Sequence, residues 1–182
     1  MVDENDDLPP FEVPKGCLGI ATLCSITLDS MLMKRGIPVN TSFAGVVQVR
    51  ERTLLGFTDL IAYAGSSLDP MNVFMARKIT RIADAVYKGN GMVLANVREV
   101  PETSVNSARA LLDQARTVGL DGLIKIGIPG EPVLSCPVGA GKVGLALCAG
   151  VNGAMAAEEQ GIWVKTTPIS ALVNYGKMKE LK

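Results

Sequence analysis

The sequence predicts an α+β fold made of tandem βαββαβ units, each of the ferredoxin-like, split βαβ type, related by an internal repeat. Two observations lead to this class. The apolar residues switch between the strand period of two and the helix period of 3.6 in the order βαββαβ, and a similar order returns after the turn at residues 89–91. A segment near the start of the chain also recurs near its end.

The repeat appears when residues 16–41 are aligned with residues 141–166, a shift of 125 positions without a gap. Chance matching at ordinary residue frequencies would give about one or two identities over this length. The alignment gives seven, namely Gly16/Gly141, Gly19/Gly144, Ala21/Ala146, Gly36/Gly161, Ile37/Ile162, Val39/Val164 and Thr41/Thr166. Each copy therefore predicts a strand–helix–strand segment.

The first unit begins with a strand predicted at residues 17–23 and a helix predicted at 26–35. Ser25 has a hydroxyl suited to a helix N-cap, and Gly36 is suited to the helix end. Strands follow near residues 45–50 and 57–64. A second helix is predicted at 70–78 because Asp69 and Pro70 form a typical helix start, and a weak strand is predicted near 82–87.

The second unit shows the same alternation of strands and helices. Strands are predicted at residues 92–97, 123–126, 133–134, 143–148 and 163–169. The helices are predicted at residues 104–118 and 152–160, and the first places Val105, Ala108, Leu112 and Ala115 on one face. We divide the chain into a flexible, acidic, proline-containing leader (1–15), a first βαββαβ unit (16–88) and a second, βαββαβ-like unit (89–182), with both units in one domain.

The composition limits the function classes. Eighteen basic residues balance eighteen acidic residues, which argues against direct binding of nucleic acid. Histidine is absent, which removes the commonest general base and metal ligand, so neither an enzyme nor a metal site is expected. The four cysteines lack C-x-x-C spacing and indicate reduced, packed thiols of a cytoplasmic protein. No membrane span is expected, since no apolar run reaches about 18 residues.

Residues 139–144 match the dinucleotide-binding pattern G-x-G-x-x-G. That mechanism requires a strand before the glycines and a helix opening on them. Here a strand is predicted after the glycines, and the next helix begins only near Asn152. We interpret the segment as a turn and expect no cofactor.

Two strand-to-helix junctions are the candidate binding elements. Cys24, Ser25 and Thr27 lie at the start of one predicted helix, and Gly150 and Asn152 lie at the start of the other. The first backbone N–H groups of a helix have no intrahelical partner and suit a carboxylate. Ordinary helix capping is the alternative interpretation.

Arg98 completes the set of candidate ligand-binding residues. Strand alternation places Asn96 and Arg98 on one face, where the guanidinium could bind a carboxylate through two parallel hydrogen bonds. The alternative is a surface ion pair on the rim of a sheet. Catalysis would instead need Cys24 or Cys148, at helix starts, to act as a thiolate of lowered pKa without a histidine nearby.

The chain resembles the regulatory domain of the archaeal nitrogen repressor NrpR. The similarity lies in several short motifs between Gly16 and Tyr175: CSITLD with GIPV, DPMNVF, VLANVREVP, GIPG, and GVN leading to AEEQGI. The resemblance implies an effector-binding domain that senses 2-oxoglutarate. It also implies a homo-oligomer, a dimer, that contacts DNA only through a separate winged helix-turn-helix domain. From the residues before Gly16 we expect no DNA-reading helix. An amino-acid-sensing module of tandem ferredoxin-like units is the alternative.

Overall fold

The structure is a computed structural model that describes residues 13–20 and 22–166. The chain divides into two compact units, residues 1–22 with 165–182, and residues 23–164. In the compact unit that contains residues 1–22, the described residues include a turn in which the Cys17 N–H donates to the carbonyl of Pro14 at 2.9 Å. The strand predicted at 17–23 is not found among the described residues, where only Gly19 forms a bridge, and Ala21 lies outside them.

The compact unit of residues 23–164 contains both helices and strands, and the predicted α+β class is confirmed. Its elements alternate along the chain much as the apolar periodicity predicts. They are α1 (Ser25–Lys34), β1 (Asn40–Arg50), β2 (Thr53–Ala62), α2 (Pro70–Arg77), α3 (Ile82–Lys88), β3 (Gly91–Pro101), a 3-10 turn (Glu102–Ser104), α4 (Val105–Thr117), β4 (Leu123–Ile126), β5 (Lys142–Cys148) and α5 (Asn152–Glu159). None of the helices in the described part of the chain is long and apolar enough to cross a membrane.

The five strands of this unit form one sheet in the order β2-β1-β3-β5-β4, with every neighbouring pair antiparallel. β5 lies between β3 and β4, and α4 connects those two strands, which is the split βαβ arrangement of ferredoxin-like units. The sheet joins strands from both predicted units, and the boundary between residues 88 and 89 stays a prediction.

The helices pack on one face of this sheet around two apolar clusters. One cluster joins α1 and α4 to β5 through residues such as Leu32, Leu112 and Leu145. The other joins α2, α3 and α5 to β1 and β3, and it contains Phe74 and Leu94. The predicted apolar face of α4 is confirmed, because Ala108, Leu112 and Ala115 are buried and Val105 packs against them.

The opposite face of the sheet is covered by the segment around residues 133–136. Val133 and Cys136 pack there with the small and branched side chains of β3 and β5, including Val97 and Ala146. The strand predicted at 133–134 is wrong, since Val133 only forms an isolated bridge with Cys136 across a tight turn. Residues 163–166 of the last predicted strand are not in a strand, and 167–169 lie outside the described residues.

The weak strand predicted at residues 82–87 is wrong, because this segment is helix α3. The Glu159 carboxylate, at the end of α5, accepts hydrogen bonds from the N–H groups of Ile82 at 2.9 Å and Ala83 at 3.1 Å. A carboxylate at this position stabilises a helix start. The helix ends at Gly89, whose φ of +73° favours glycine. The helix is thus specified by a contact from a distant part of the chain.

Helices α1 and α5 end in the same way, as the internal repeat predicts. After α1 the N–H of Gly36 donates to the carbonyl of Met33 at 2.9 Å, and after α5 the N–H of Gly161 donates to the carbonyl of Glu158 at 2.9 Å. Both glycines have positive φ, +75° and +80°. The two helices therefore share their ends as well as their sequence pattern.

Candidate functional site

A pocket of about 330 Å³ lies at the N-termini of α1 and α5. Three segments line it, two of them strand-to-helix junctions and the third the connection between α4 and β4. The lining residues are Leu23, Cys24, Ser25, Thr27 and Leu28; Leu120, Asp121 and Gly122; and Cys148, Ala149, Gly150, Asn152 and Gly153. A shift of 125 positions converts the first group into the third, so the two copies of the repeat contribute equivalent walls.

The structure brings most of the predicted site residues together. Five of the six predicted residues line the pocket: Cys24, Ser25, Thr27, Gly150 and Asn152. Arg98 does not line the pocket but lies behind Ser25, to which it is hydrogen-bonded. The structure thus brings the two junctions to one pocket, while the role of each residue in binding stays a prediction.

Neither of the two helix starts has a side-chain cap on its backbone N–H groups. The prediction that Ser25 is the N-cap of α1 is wrong, because Ser25 is the first helical residue. The N-cap residue is Cys24, whose side chain makes no capping hydrogen bond. At α5 the N-cap residue Val151 also makes none, and neither helix has an acidic residue in its first turn. An anionic group in the pocket would therefore interact favourably with both helix N-termini.

Arg98 is buried, with 3% of its surface exposed, so the alternative of a surface ion pair is wrong. Its Nε donates to both carboxylate oxygens of Asp29 at 2.9 and 3.0 Å, and its Nη2 donates to Ser25 Oγ at 2.9 Å. Burial raises the pKa of the Asp29 carboxyl, and the charge and hydrogen bonds of Arg98 oppose that rise. Ser25 and Asp29 lie one turn apart on α1, so this arginine attaches the start of α1 to β3.

Asn96 and Arg98 share a face of β3, as strand alternation predicts, and Tyr63 joins them. The Tyr63 hydroxyl donates to Asn96 Oδ1 at 2.8 Å, which turns the Asn96 Nδ2 toward Ser25 Oγ at 3.5 Å. The Arg98 guanidinium carbon lies 5.9 Å from the centre of the Tyr63 ring. Burial raises the pKa of Tyr63, so it keeps its proton as a donor. We call these five residues the α1 anchor: Ser25, Asp29, Tyr63, Asn96 and Arg98.

Asn152 attaches the start of α5 to the same strand. Its Oδ1 accepts from the Leu94 N–H at 2.9 Å and its Nδ2 donates to the Leu94 carbonyl at 2.8 Å. The Nδ2 also approaches Cys148 Sγ at 3.1 Å. This side chain therefore continues the β3–β5 pairing beyond Ala95, and both atoms of its amide already have protein partners.

All four cysteines are free thiols, but the prediction that they are packed is correct only for Cys136. Cys17, Cys24 and Cys148 are exposed. Burial of the sulfur nevertheless raises the pKa of Cys148, against the opposing effect of its hydrogen bond with Asn152. The lowered pKa that a thiolate nucleophile at this helix start would need is absent.

Among the described residues that line the pocket, Asp121 is the one carboxylate. It accepts from Arg116 Nε at 3.1 Å in an exposed ion pair, so its charge is partly balanced. Sequence reasoning missed Asp121, Asp29 and Tyr63 as members of the site. Asp29 had a usable signal, since it is an acidic residue in the predicted helix 26–35 and stands next to Leu28, which lies one turn before Leu32.

The amino-acid sequence matches a known protein family. Residues 1–180 match the family model described as NrpR regulatory domains NRD1 and 2. The chain belongs to the NrpR regulatory domain family. The global nitrogen regulator NrpRI of Methanosarcina mazei is 41% identical over 178 residues, which cover 98% of this NrpR-type chain and 55% of the regulator.

More distant NrpR proteins show the same similarity. The global nitrogen regulator NrpR of Methanocaldococcus jannaschii is 30% identical over 163 residues, which cover 90% of this chain and 29% of that regulator. The crystal structure of a nitrogen repressor-like protein from Methanococcus jannaschii superposes with a TM-score of 0.67 at 25% identity, covering 81% of this chain and 61% of that one. The chain thus spans between about a third and about half of these curated regulators.

Proposed function

We propose that this NrpR regulatory domain is the effector-binding part of a nitrogen-assimilation transcriptional repressor and that its effector is 2-oxoglutarate. The observation that supports the proposal is the lining of the pocket by both copies of the repeated strand-to-helix junction. A ligand with two carboxylates can place one at each helix N-terminus. The volume of about 330 Å³ is at the lower end of the range for small-molecule sites.

The residues of the pocket favour binding over catalysis. Its lining contains one carboxylate, Asp121, and two thiols, Cys24 and Cys148, and the raised pKa of Cys148 makes that thiol a poor nucleophile. The polar groups otherwise offered are hydroxyls and backbone N–H groups, which hold a ligand without changing it.

The effector would act by shifting a population between two arrangements of the repressor. The free energy available for this shift is the difference between the binding free energies of the effector for the two arrangements. The regulatory domain would assemble as a homo-oligomer in the cytoplasm, and DNA would be contacted by a winged helix-turn-helix domain elsewhere in the repressor.

Calorimetric titration and thermal melting with 2-oxoglutarate test the proposal. A ligand at about 100 times its dissociation constant stabilises a folded domain by about 2.7 kcal/mol, which raises the melting temperature measurably. Succinate and adipate, which differ in the distance between their carboxylates, serve as matched comparison ligands. Absence of heat and of any shift with 2-oxoglutarate at millimolar concentration would contradict the proposal.

An amino acid is the second candidate effector, and Asp121 is the observation that favours it. Its carboxylate lies in the same lining as the two helix starts and could accept from an ammonium group. Asp121→Asn distinguishes the two candidates. This variant should bind 2-oxoglutarate at least as tightly, because a like charge is removed, whereas the binding of glutamate or glutamine should weaken.

A further inference from the structure

Ser25 Oγ is surrounded by donors. Arg98 Nη2 donates to it at 2.9 Å, and Asn96 Nδ2 approaches it at 3.5 Å. A guanidinium has no acceptor atom, and the Asn96 carbonyl oxygen is already turned toward the Tyr63 hydroxyl. Both lone pairs of the Ser25 hydroxyl therefore face donors.

The proton of this hydroxyl has no acceptor in the described part of the chain. Ser25 is 4% exposed, and the contact it does have with open space is the pocket that it lines. A hydroxyl has one proton and two lone pairs, so a hydroxyl whose lone pairs are occupied has only its donor function left. A buried donor without a partner destabilises the fold unless a ligand supplies the acceptor.

We infer that Ser25 acts toward the pocket only as a hydrogen-bond donor and recognises an acceptor oxygen, such as a carboxylate oxygen of the ligand. Arg98 is a positioning residue, because its hydrogen bond to Ser25 Oγ leaves the hydroxyl proton to point into the pocket. The inference deepens the proposed function and rests on it only in that the pocket must hold some ligand. It also revises the sequence-based interpretation of Arg98, which placed the guanidinium directly on the ligand.

A second observation supports the polarity of this corner. Arg98 Nη1 is fully buried and has no hydrogen-bond partner in the described residues. The guanidinium is thus only partly used by Asp29 and Ser25, and its remaining hydrogen-bonding capacity is again that of a donor. Arg98 Nη1 is the buried side-chain atom left without a partner among the described residues, and it is a donor, so the corner beside Ser25 favours acceptor groups over ammonium and other donors.

Two probes of equal length and opposite polarity test the inference. Glutarate carries an acceptor at each end, and 1,5-diaminopentane carries a donor at each end. Glutarate should bind with measurable heat and the diamine should not. Ser25→Ala should weaken glutarate and 2-oxoglutarate about 10-fold or more, as expected for a lost hydrogen bond to a charged group. Ser25→Cys, which keeps the volume but is a weak donor, should show most of the same loss.

Ser42→Ala is the matched control for Ser25→Ala. Ser42 is also a buried serine, with 9% of its surface exposed, but it lies on β1 and does not line the pocket. Its removal should leave the affinity for both acids unchanged within two-fold. Thermal melts of all variants show whether each is folded at the temperature of titration.

A double-mutant cycle separates a positioning role of Arg98 from direct contact. Arg98→Lys keeps a positive charge but loses the planar guanidinium that fixes Asp29 and Ser25 in one geometry, so it should weaken binding when Ser25 is present. In the Ser25→Ala background it should have almost no further effect, because the group it positions is gone. Additive losses would show that Arg98 contacts the ligand itself and would overturn the positioning role.

The outcomes for Ser25 and for the proposed effector are separable. If 2-oxoglutarate binds but Ser25→Ala and Ser25→Cys leave its affinity unchanged, the donor role is wrong and the proposed effector stands. If glutarate binds in a Ser25-dependent manner while 2-oxoglutarate does not, the donor role stands and the proposed effector is wrong. Tight binding of the diamine would also overturn the donor role, even if Arg98→Lys does not fold.

Discussion

Two consecutive residues of β3 place opposite charges on opposite faces of the sheet. Arg98 points to the helical face and pairs with Asp29, and Glu99 points to the other face and pairs with Lys142 at 2.9 Å. Both side chains are buried, since the exposed fractions of Arg98 and Glu99 are 3% and 7%. A buried charge is tolerated only with partners of this kind, and removal of one partner destabilises the fold.

Glu99 links stability to pH. Burial alone would raise the pKa of its carboxyl, but hydrogen bonds from the Gly139 N–H, Lys142, Asn40 and Ser42 outweigh burial and lower the pKa from 4.5 to about 2. A lowered carboxyl pKa adds stability above the ordinary value, and this stability is lost as pH falls toward the folded value. The contribution of Glu99 should therefore be complete above about pH 5 and disappear between about pH 4.5 and 2.

Glu99→Gln tests this linkage. The amide cannot form the charge-assisted hydrogen bonds, so the free energy of unfolding at pH 7 should fall by about 1–3 kcal/mol. The variant should also lose most of the decline in stability below pH 5, as measured by urea unfolding at a series of pH values. Glu131→Gln, at an exposed glutamate, is the control and should change stability by less than about 0.5 kcal/mol.

The sequence predicted which residues meet in the pocket better than it predicted what each does. Ser25 and Asn152 were found because small polar residues at helix starts are a local signal. Their pairings were not predicted, since Ser25 and Arg98 are 73 residues apart and Asn152 and Leu94 are 58 apart. Pairing at such distances depends on the sheet order, which one sequence does not show.

At the scale of elements, the turn between β1 and β2 shows where local signals fail. It consists of Glu51 and Arg52, both at positive φ, a conformation for which Asn and Gly are the usual residues. The Arg52 N–H donates to the carbonyl of Gly89 at 2.9 Å, and the Glu51 N–H donates to Asn90 Oδ1 at 3.0 Å. A neighbouring turn therefore supports this hairpin. The second strand was predicted to begin near residue 57, but β2 begins at Thr53.

A substitution at the start of helix α5 should raise the stability of the domain and lower its affinity for the effector. Gly153 lies in its first turn, its φ is not positive, and a Cβ there would meet no atom within 4 Å. Gly153→Asp should raise the free energy of unfolding by about 0.5–1 kcal/mol, since aspartate has a higher helix propensity than glycine and interacts favourably with the helix N-terminus. The same carboxylate should occupy the end of the pocket where we propose that the anion binds, and it should weaken the binding of 2-oxoglutarate about 10-fold.

Gly153→Asn is the matched variant without the charge. It should keep part of the gain in stability and most of the affinity, as followed by thermal melting and calorimetry on the same samples. A more stable Gly153→Asp variant with unchanged affinity would show that the acid binds elsewhere or does not depend on the start of α5.

At the scale of the whole molecule, the balance of 18 basic and 18 acidic residues gives no net attraction to phosphate. We expect this chain alone not to bind duplex DNA at physiological salt. A gel-shift series over increasing salt, with a basic DNA-binding protein as the positive control, measures this. Submicromolar binding at physiological ionic strength would contradict the expectation.

The edges of the sheet lead to a prediction about assembly. β2 and β4 are the outer strands, and within the described part of the chain each has one side without a neighbouring strand. Open strand edges are usually covered or blocked in stable proteins. We expect self-association to a dimer, visible by sedimentation velocity at tens of micromolar, and a single monomeric boundary at that concentration would argue against it.

The pairing of Asn152 with Leu94 provides a built-in reporter of the pocket. The Leu94 amide proton is held by a side chain at the start of α5 rather than by a neighbouring strand. Its exchange with deuterated solvent therefore requires only that this helix start separate from β3, a smaller opening than melting of the sheet. Slower exchange at Leu94 than in the free domain would reveal an occupied pocket without any label, chromophore or measurable heat.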